Sequence, residues 1–257
     1  MDNPSQSSNI GFTPEGMKQF FSSTSDVVIE SAIQENTNER LLLVYCEPLV
    51  DSTLLNEIVL PLINHHSLEE TLVELKSMVQ IHEKNKQEVT EEDLSHSVFS
   101  GKLMITTTAS ETIFYYNISK MPSRTPDESI TEVSVRGPKD GFVEDLSTNL
   151  ALVRKRLKSS SFIIEEYTIG RRSQTKVALL YIKDVINKEL LRNIQEKLRK
   201  IEVDILTSST QMEDLIIEKQ VFSLFPLVNY TGRADYVVDS INQGNRITSS
   251  SQFDLFN

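Results

Sequence analysis

The feature that most constrains this chain is an internal repetition. Shifted by 136 positions, one pattern overlays itself without a gap from residue 25 to residue 62. The first copy reads Ser25-Asp26-Val27-Val28-Ile29-Glu30-Ser31, then Arg40-Leu41-Leu42-Leu43-Val44-Tyr45, then Leu54, Leu55, Ile58 and Leu62. The second reads Ser161-Phe162-Ile163-Ile164-Glu165-Glu166-Tyr167, then Lys176-Val177-Ala178-Leu179-Leu180-Tyr181, then Leu190, Leu191, Ile194 and Leu198. Each copy is an apolar strand, a polar turn, a second apolar strand and a helix. The strands are rich in β-branched residues, which suit a pleated surface. The i, i+4, i+8 leucines and isoleucines mark one helical face. Any two strand–strand–helix units share some of this pattern; a gapless register over the whole stretch indicates duplication.

A chain of 257 residues can bury two small cores. The expected fold is α/β: two related subdomains, each a small mixed β-sheet with flanking helices. The boundaries fall at 13–120 for the first subdomain, 121–135 for a linker holding Pro122 and Pro126, and 136–248 for the second. Residues 249–257 are expected as a tail beyond a second copy cut short by one or two strands.

Between the copies stands Arg136-Gly137-Pro138-Lys139-Asp140-Gly141-Phe142, a stretch too rich in glycine and proline for regular structure. Asp140 or Gly141 is expected to cap a helix running to about residue 158. Its apolar stripe is Phe142, Leu146, Leu150, Val153 and Leu157. Glu144 and Asp145 open it, and Arg154, Lys155, Arg156 and Lys158 close it, in the sense that complements a helix dipole.

Elsewhere in the first copy, helices are expected at 14–21 and 52–63, the latter ended or kinked by Pro61. Ser67 with Glu70 forms a capping box, and so does Thr90 with Asp93, whose helix stops at Gly101. Residues 81–89 read as a polar loop, and 102–107 with 112–118 as a hairpin. In the second copy, Gly170-Arg171-Arg172-Ser173 joins strands 162–169 and 176–183. A helix at 188–200, a strand at 201–206 and a helix at 212–219 come next. Phe222 to Pro226 is an apolar loop, in which Phe222, Leu224 and Phe225 are either core under the loop or an exposed docking patch. A last helix, 235–242, ends at Gly244.

Charge narrows the function. The net charge of −11 argues against general nucleic-acid binding, which needs a positive surface. The balance is uneven: residues 136–200 hold 15 basic and 8 acidic side chains, leaving −18 on the remainder. A single cysteine, Cys46, lies inside an apolar strand, which excludes an internal disulfide and fits a reducing compartment. The polar opening has no signal-peptide pattern, and no run of 18 apolar residues occurs.

Catalytic motifs are missing. There is no Gly-x-Ser-x-Gly elbow, Walker loop or Gly-x-Gly-x-x-Gly. His65, His66, His82 and His96 have no metal-ligand spacing, and one cysteine cannot build a zinc site. Carboxylate runs such as Glu69, Glu70 and Glu74, or Glu91, Glu92 and Asp93, read as solvated helix faces. No catalytic residue, cofactor or metal is expected. The remaining candidates are cationic. Arg136 and Lys139 lie in a turn opening a helix, a geometry able to hold an anion; Arg171 and Arg172 occupy a tight strand–strand turn. These side chains either tie loops to neighbouring carboxylates or contact a partner or an anionic ligand between the halves. Gly137, Pro138, Gly141 and Phe142 are the candidate turn or hinge.

The motifs at 136–142, Asn149-Leu150-Ala151-Leu152-Val153-Arg154-Lys155-Arg156, Gly170-Arg171-Arg172-Ser173, Val177-Ala178-Leu179-Leu180-Tyr181-Ile182 and Phe225-Pro226 resemble one family. It is the A subunit of GerA-type nutrient germinant receptors of spore-forming bacteria, and the resemblance spans residues 25–248. The basic residue after Gly-Pro is lysine here, a mild departure. The family continues past the position of Gly244 into a further strand and a multi-helix membrane domain, which this sequence lacks. The resemblance implies a hydrophilic amino-terminal domain on the cytoplasmic (spore core) face of the spore inner membrane. It would work with B and C subunits, without enzymatic activity, to convert nutrient sensing into ion release. Self-association into a homo-oligomer and direct binding of a small nutrient or an anion in the crevice between subdomains stand as alternatives.

Overall fold

Both halves are organised by a strand whose side chains are apolar on both faces. In a computed structural model, which describes residues 10–34, 39–66, 68–120, 141–216, 230–243, 247–250 and 254–256, these strands are β2 (Arg40–Cys46) and β7 (Thr175–Ile182). The chain divides into two units, Met1–Met121 with Lys158–Ser160, and Pro122–Leu157 with Ser161–Asn257.

In the first unit, β1 (Val27–Ile33) and β2 form a hairpin, and β4 (Lys102–Thr107) and β5 (Thr112–Asn117) form another beside it. The edge strand β3 (Ile81–Asn85) pairs with β5, giving the order β1-β2-β4-β5-β3. Leu41, Leu43 and Tyr45 of β2 pack with Leu55, Val59, Ile63 and Leu75. Those four belong to the helical layer formed by α2 (Ser52–Leu54), a π turn (Leu55–Val59), α3 (Leu60–His65) and α4 (Leu68–Met78). Leu42, Val44 and Cys46 alternate to the other face and are also buried. There α1 (Pro14–Phe20) and α5 (Glu91–Val98) add Met17, Leu94 and Val98. Thr90 and Asp93 form the anticipated capping box of α5.

The second unit repeats this plan. β6 (Phe162–Ile169), β7, β8 (Ile247–Ser250) and β9 (Asp254–Phe256) lie in order, matching β1-β2-β4-β5. Val177, Leu179 and Tyr181 face α7 (Lys188–Lys200) and α8 (Ser209–Ile216), with Ile194, Leu198 and Met212. Ala178 and Leu180 face α6 (Leu146–Arg156) and α9 (Ala234–Asn242), with Leu150, Val153, Val237 and Ile241.

The gapless repeat holds for the central strands and fails by one residue on either side. Tyr45 and Tyr181, 136 apart, occupy equivalent places, but their partners across the hairpin are Val28 and Ile163. The helical residues pressed on the sheet are Val59 and Ile63 in one copy and Ile194 and Leu198 in the other. Ile58 and Leu62, expected there, are only partly buried. The physical reason is the π turn: its wider loop accommodates one extra residue between the strand and Val59. Pro61, expected to end or kink the helix, comes directly after; it lacks the N–H that an α ladder would direct at the Glu57 carbonyl.

The α/β class with two related units agrees with expectation, while several details need correction. Within the sheets, every described strand pair is antiparallel rather than mixed, because the connection from β2 to β4 leaves and re-enters the same end of the sheet. Residues 81–85 form a strand, not a loop; an edge position tolerates His82, Glu83 and Lys84, so hydrophobic alternation is weak there. Residues 201–206 have no strand. Residues 249–257, expected as a tail, contain the end of β8 and all of β9, placed by pairing with β7 and with each other. Helix α6 starts later than expected, with Asp145 as N-cap accepting from the Thr148 N–H at 2.8 Å. Ser67, Phe222, Leu224, Phe225 and Gly244 lie outside the described residues.

Gly101, between α5 and β4, has φ 78°, and a Cβ there would meet Ser119 Cβ at 2.6 Å and the Leu49 carbonyl at 2.8 Å. Both the left-handed backbone and the rigid neighbours oppose a side chain. Gly101→Ala is expected to lower unfolding free energy by about 2 kcal/mol, measured by urea denaturation; a loss below about 0.5 kcal/mol would refute this.

Candidate functional site

The turn between β6 and β7 is built by backbone geometry. Gly170 has φ 91° and Gln174 φ 48°, and between them the chain presents three successive N–H groups in one direction. Arg171 N–H donates to the Val203 carbonyl (2.9 Å), Arg172 N–H to Asp204 (2.8 Å) and Ser173 N–H also to Asp204 (3.3 Å). Ser173 Oγ accepts from Leu206 N–H at 3.1 Å, and Thr175 Oγ donates to the Leu206 carbonyl at 3.4 Å. The segment 203–206 is therefore strapped to the turn, which is the fate of the expected strand. Such a run of N–H groups can cradle an anion, but here carbonyl oxygens already occupy it.

The two arginine side chains of the turn are exposed. Arg171 is 3.7 Å from Glu202, with both side chains more than 70% exposed. A pair so open to solvent contributes little to stability. Arg172 is exposed as well. The result is a cationic pair projecting from a rigid turn.

Arg136, Gly137, Pro138 and Lys139 lie outside the described residues. Gly141 and Phe142, next in the chain, are held on two sides. Gly141 forms a β-bridge with Arg233, and Phe142 N–H donates to the Gly232 carbonyl at 2.8 Å. Asn149, 2% exposed, grips the adjacent Val143: its Oδ1 accepts the Val143 N–H (2.8 Å) and its Nδ2 donates to the Val143 carbonyl (2.7 Å). This pair of hydrogen bonds keeps 141–143 extended, so α6 cannot begin at Asp140 or Gly141. Arg233 in turn grips Asp235 through Nε–Oδ1 (3.1 Å) and Nη2–Oδ2 (2.6 Å), a two-point, partly buried pair. The Arg233 hydrogen bond holds the Asp235 carboxyl below the usual carboxylate range, against an opposing effect of burial.

Two polar arrangements escaped sequence reasoning. Arg154, expected to complement the dipole at the end of α6, is fully buried. Its Nη1 donates to the Phe162 carbonyl at 2.9 Å, and its guanidinium lies 4.5 Å from the Phe162 ring centroid. Its position four residues after Leu150 and eight after Leu146 was the available signal, since that spacing turns it inward. The second arrangement surrounds Glu165. Its carboxylate accepts from Tyr167 Oη, Tyr181 Oη and Gln195 Nε2, each at 2.6 Å, linking β6 and β7 to α7. Burial first, then the Glu165 hydrogen bond, raises both phenols above their ordinary pKa, so they remain donors at neutral pH. In the first unit Tyr45 lies near Glu30 and is pushed up to about 12, by burial and then by that charge. No sequence motif marks such a cluster, because it depends on a strand register.

Among the described residues, no group of three or more His, Cys, Asp or Glu side chains could hold a metal ion, and no helix is long and apolar enough to cross a membrane. The fold and this surface define a paired α/β module that displays a basic turn. The chain belongs to the Bacillus/Clostridium GerA spore germination protein family, whose profile matches residues 15–248. It is 39% identical to spore germination protein XA of Bacillus anthracis, over 89% of this chain and 47% of that protein. It is 30% identical to spore germination protein KA of Bacillus subtilis, over 94% of this chain and 44% of that protein. The chain thus spans about half the length of these relatives. Its fold matches the crystal structure of the N-terminal domain of the A subunit of the Bacillus megaterium spore germinant receptor GerK3. The TM-score is 0.65 at 24% identity, covering 93% of this chain and 91% of that one.

Two outcomes are expected from the arginine contacts. Arg154→Ala should lower stability by about 3 kcal/mol, and Arg154→Met, which keeps most of the packing but loses the hydrogen bond, by about half of that; no loss for Arg154→Met in urea melts would show that the Phe162 hydrogen bond contributes nothing. Because the folded-state pKa of Asp235 is depressed, its contribution is present above pH about 4 and is lost as pH falls through the folded value. Arg233→Met should therefore flatten the acid side of the stability–pH curve, and an unchanged acid limb would refute the pairing.

Proposed function

We propose that this chain is the amino-terminal hydrophilic domain of a germinant receptor A subunit, acting as a non-catalytic coupling module. In this reading it sits on the cytoplasmic face of the spore inner membrane and passes the nutrient signal through contacts between its subdomains and with B and C subunits. Family membership makes spore germination the setting. The single observation that carries the coupling role is the cationic pair Arg171 and Arg172: it stands on a turn held rigid by three backbone hydrogen bonds, yet its side chains do almost nothing for the fold. Arg136 and Lys139 are proposed as companions on the same grounds of charge. A rigid display of guanidinium groups suits recognition of a partner's carboxylates.

Arg171→Ala with Arg172→Ala, introduced into the full-length A subunit, is expected to leave the melting temperature of the domain within about 2 °C of the parent and to slow nutrient-triggered germination. Normal germination at normal receptor levels would rule out the role. A thermal-shift series against amino acids, sugars and inorganic anions tests the ligand-binding alternative, since a ligand that binds only the folded state must stabilise it. No shift is expected with any of them. A stereospecific shift with one nutrient would replace coupling by direct sensing.

A further inference from the structure

The helix after β2 in the first unit carries two apolar faces, one residue apart. Val59 and Ile63, both 0% exposed, press on the sheet through the π turn. Ile58 and Leu62 have the same spacing and are packed against the edge of the same core, partly buried. The gapless repeat aligns Ile58 and Leu62, not Val59 and Ile63, with the buried Ile194 and Leu198 of the second unit. A continuous α-helix leaving β2 as α7 leaves β7 would therefore present Ile58 and Leu62. The second unit has no such choice, since the residues after Ile194 and Leu198 are Gln195 and Arg199.

We infer that the π turn at Leu55–Val59 is a register switch, in which the segment from Ile58 to His65 exchanges its Val59/Ile63 face for its Ile58/Leu62 face against the sheet. Closing the π turn to α geometry rotates everything after it by about 100°, one residue of helix. Both faces are aliphatic, so each buries similar apolar surface and the two packings are close in free energy. Pro61 removes one ladder hydrogen bond in either state, so the exchange has one fewer bond to break.

The switch reaches two neighbours. The Leu62 carbonyl accepts from Thr71 Oγ1 of α4 at 3.2 Å. The His66 carbonyl accepts at 2.9 Å from Nε2 of Gln34, a fully buried side chain just after β1. Rotating the segment moves both carbonyls, so α4 and the end of β1 must change with it. A shift of this kind gives an antiparallel sandwich a discrete second state without unfolding its sheet.

The test copies the second unit's polar residues into the first. Val59→Gln with Ile63→Arg leaves only the Ile58/Leu62 face able to pack. The switch predicts cooperative thermal unfolding within about 5 °C of the parent, because the helix adopts the other register. A cysteine placed at Ile58 should then react with a thiol reagent about tenfold more slowly in that background than in the parent. Cys46, fully buried, gives a slow baseline in both. Loss of the cooperative transition, as expected if Gln and Arg are forced into a fixed core site, would overturn the switch. An unchanged labelling rate at position 58 in a folded variant would overturn it equally. The counterpart Ile58→Gln with Leu62→Arg keeps the present face and should melt cooperatively; its unfolding would show that one face is not enough and would also remove the basis for two states.

Discussion

The structure depends on burying both faces of β2 and of β7. Leu41, Leu43 and Tyr45 need one layer of helices, and Leu42, Val44 and Cys46 need another; the same holds for Val177, Leu179 and Tyr181 against Ala178 and Leu180. A strand apolar on both sides cannot lie on a surface without exposing one face. Each unit therefore becomes a three-layer sandwich, and the long connections after β2 and β7 must carry the helices that complete it. The polar features of the molecule are arranged around this requirement: Asn149 fixes the approach to α6, Arg154 satisfies a carbonyl of β6, and Glu165 joins β6 and β7 to α7.

Duplication of one plan has not produced two equal halves. The first unit has the extra edge strand β3 and the π turn; the second has the strapped turn at 170–174 and the half-buried Glu165 cluster with three donors. The tyrosines at the ends of the central strands are retained, each near a glutamate on the neighbouring strand. Equivalent strands thus carry equivalent pairs, while the inserted residue in the first helix offsets the remainder of that helix by one position. Charge differs along the chain as well, with the excess of basic residues confined to 136–200. Such asymmetry suits a module whose halves face different surroundings, and it concentrates the candidate contacts in the second unit.

Much of the candidate site was legible because its residue types are conspicuous. Gly170-Arg171-Arg172-Ser173 announced a turn, and the positive φ of Gly170 is what glycine there supplies. What the sequence could not show was that carbonyls of 203 and 204 occupy the turn's N–H groups, since those residues lie thirty positions away and have no periodic pattern. Arg154 illustrates the same limit from another side. A run of Arg154, Lys155 and Arg156 at a helix end looks like a solvated cationic cap, and only packing against Phe162 distinguishes the first of them.

The duplication, the apolar central strands, the amphipathic helices, the N-cap at Thr90 and the lack of recognisable catalytic motifs could all be read from the chain's residues alone. These arise from local periodicity and capping chemistry, which act over a few residues. Only the packed chain settles the one-residue offset between the copies, the edge strand of His82, Glu83 and Lys84, the placement of β8 and β9, the burial of Arg154 and the three donors gathered on Glu165. Each of these depends on which distant backbone or side chain lies opposite, and antiparallel pairing with a period of two makes a single residue of register sufficient to reverse the face that is buried.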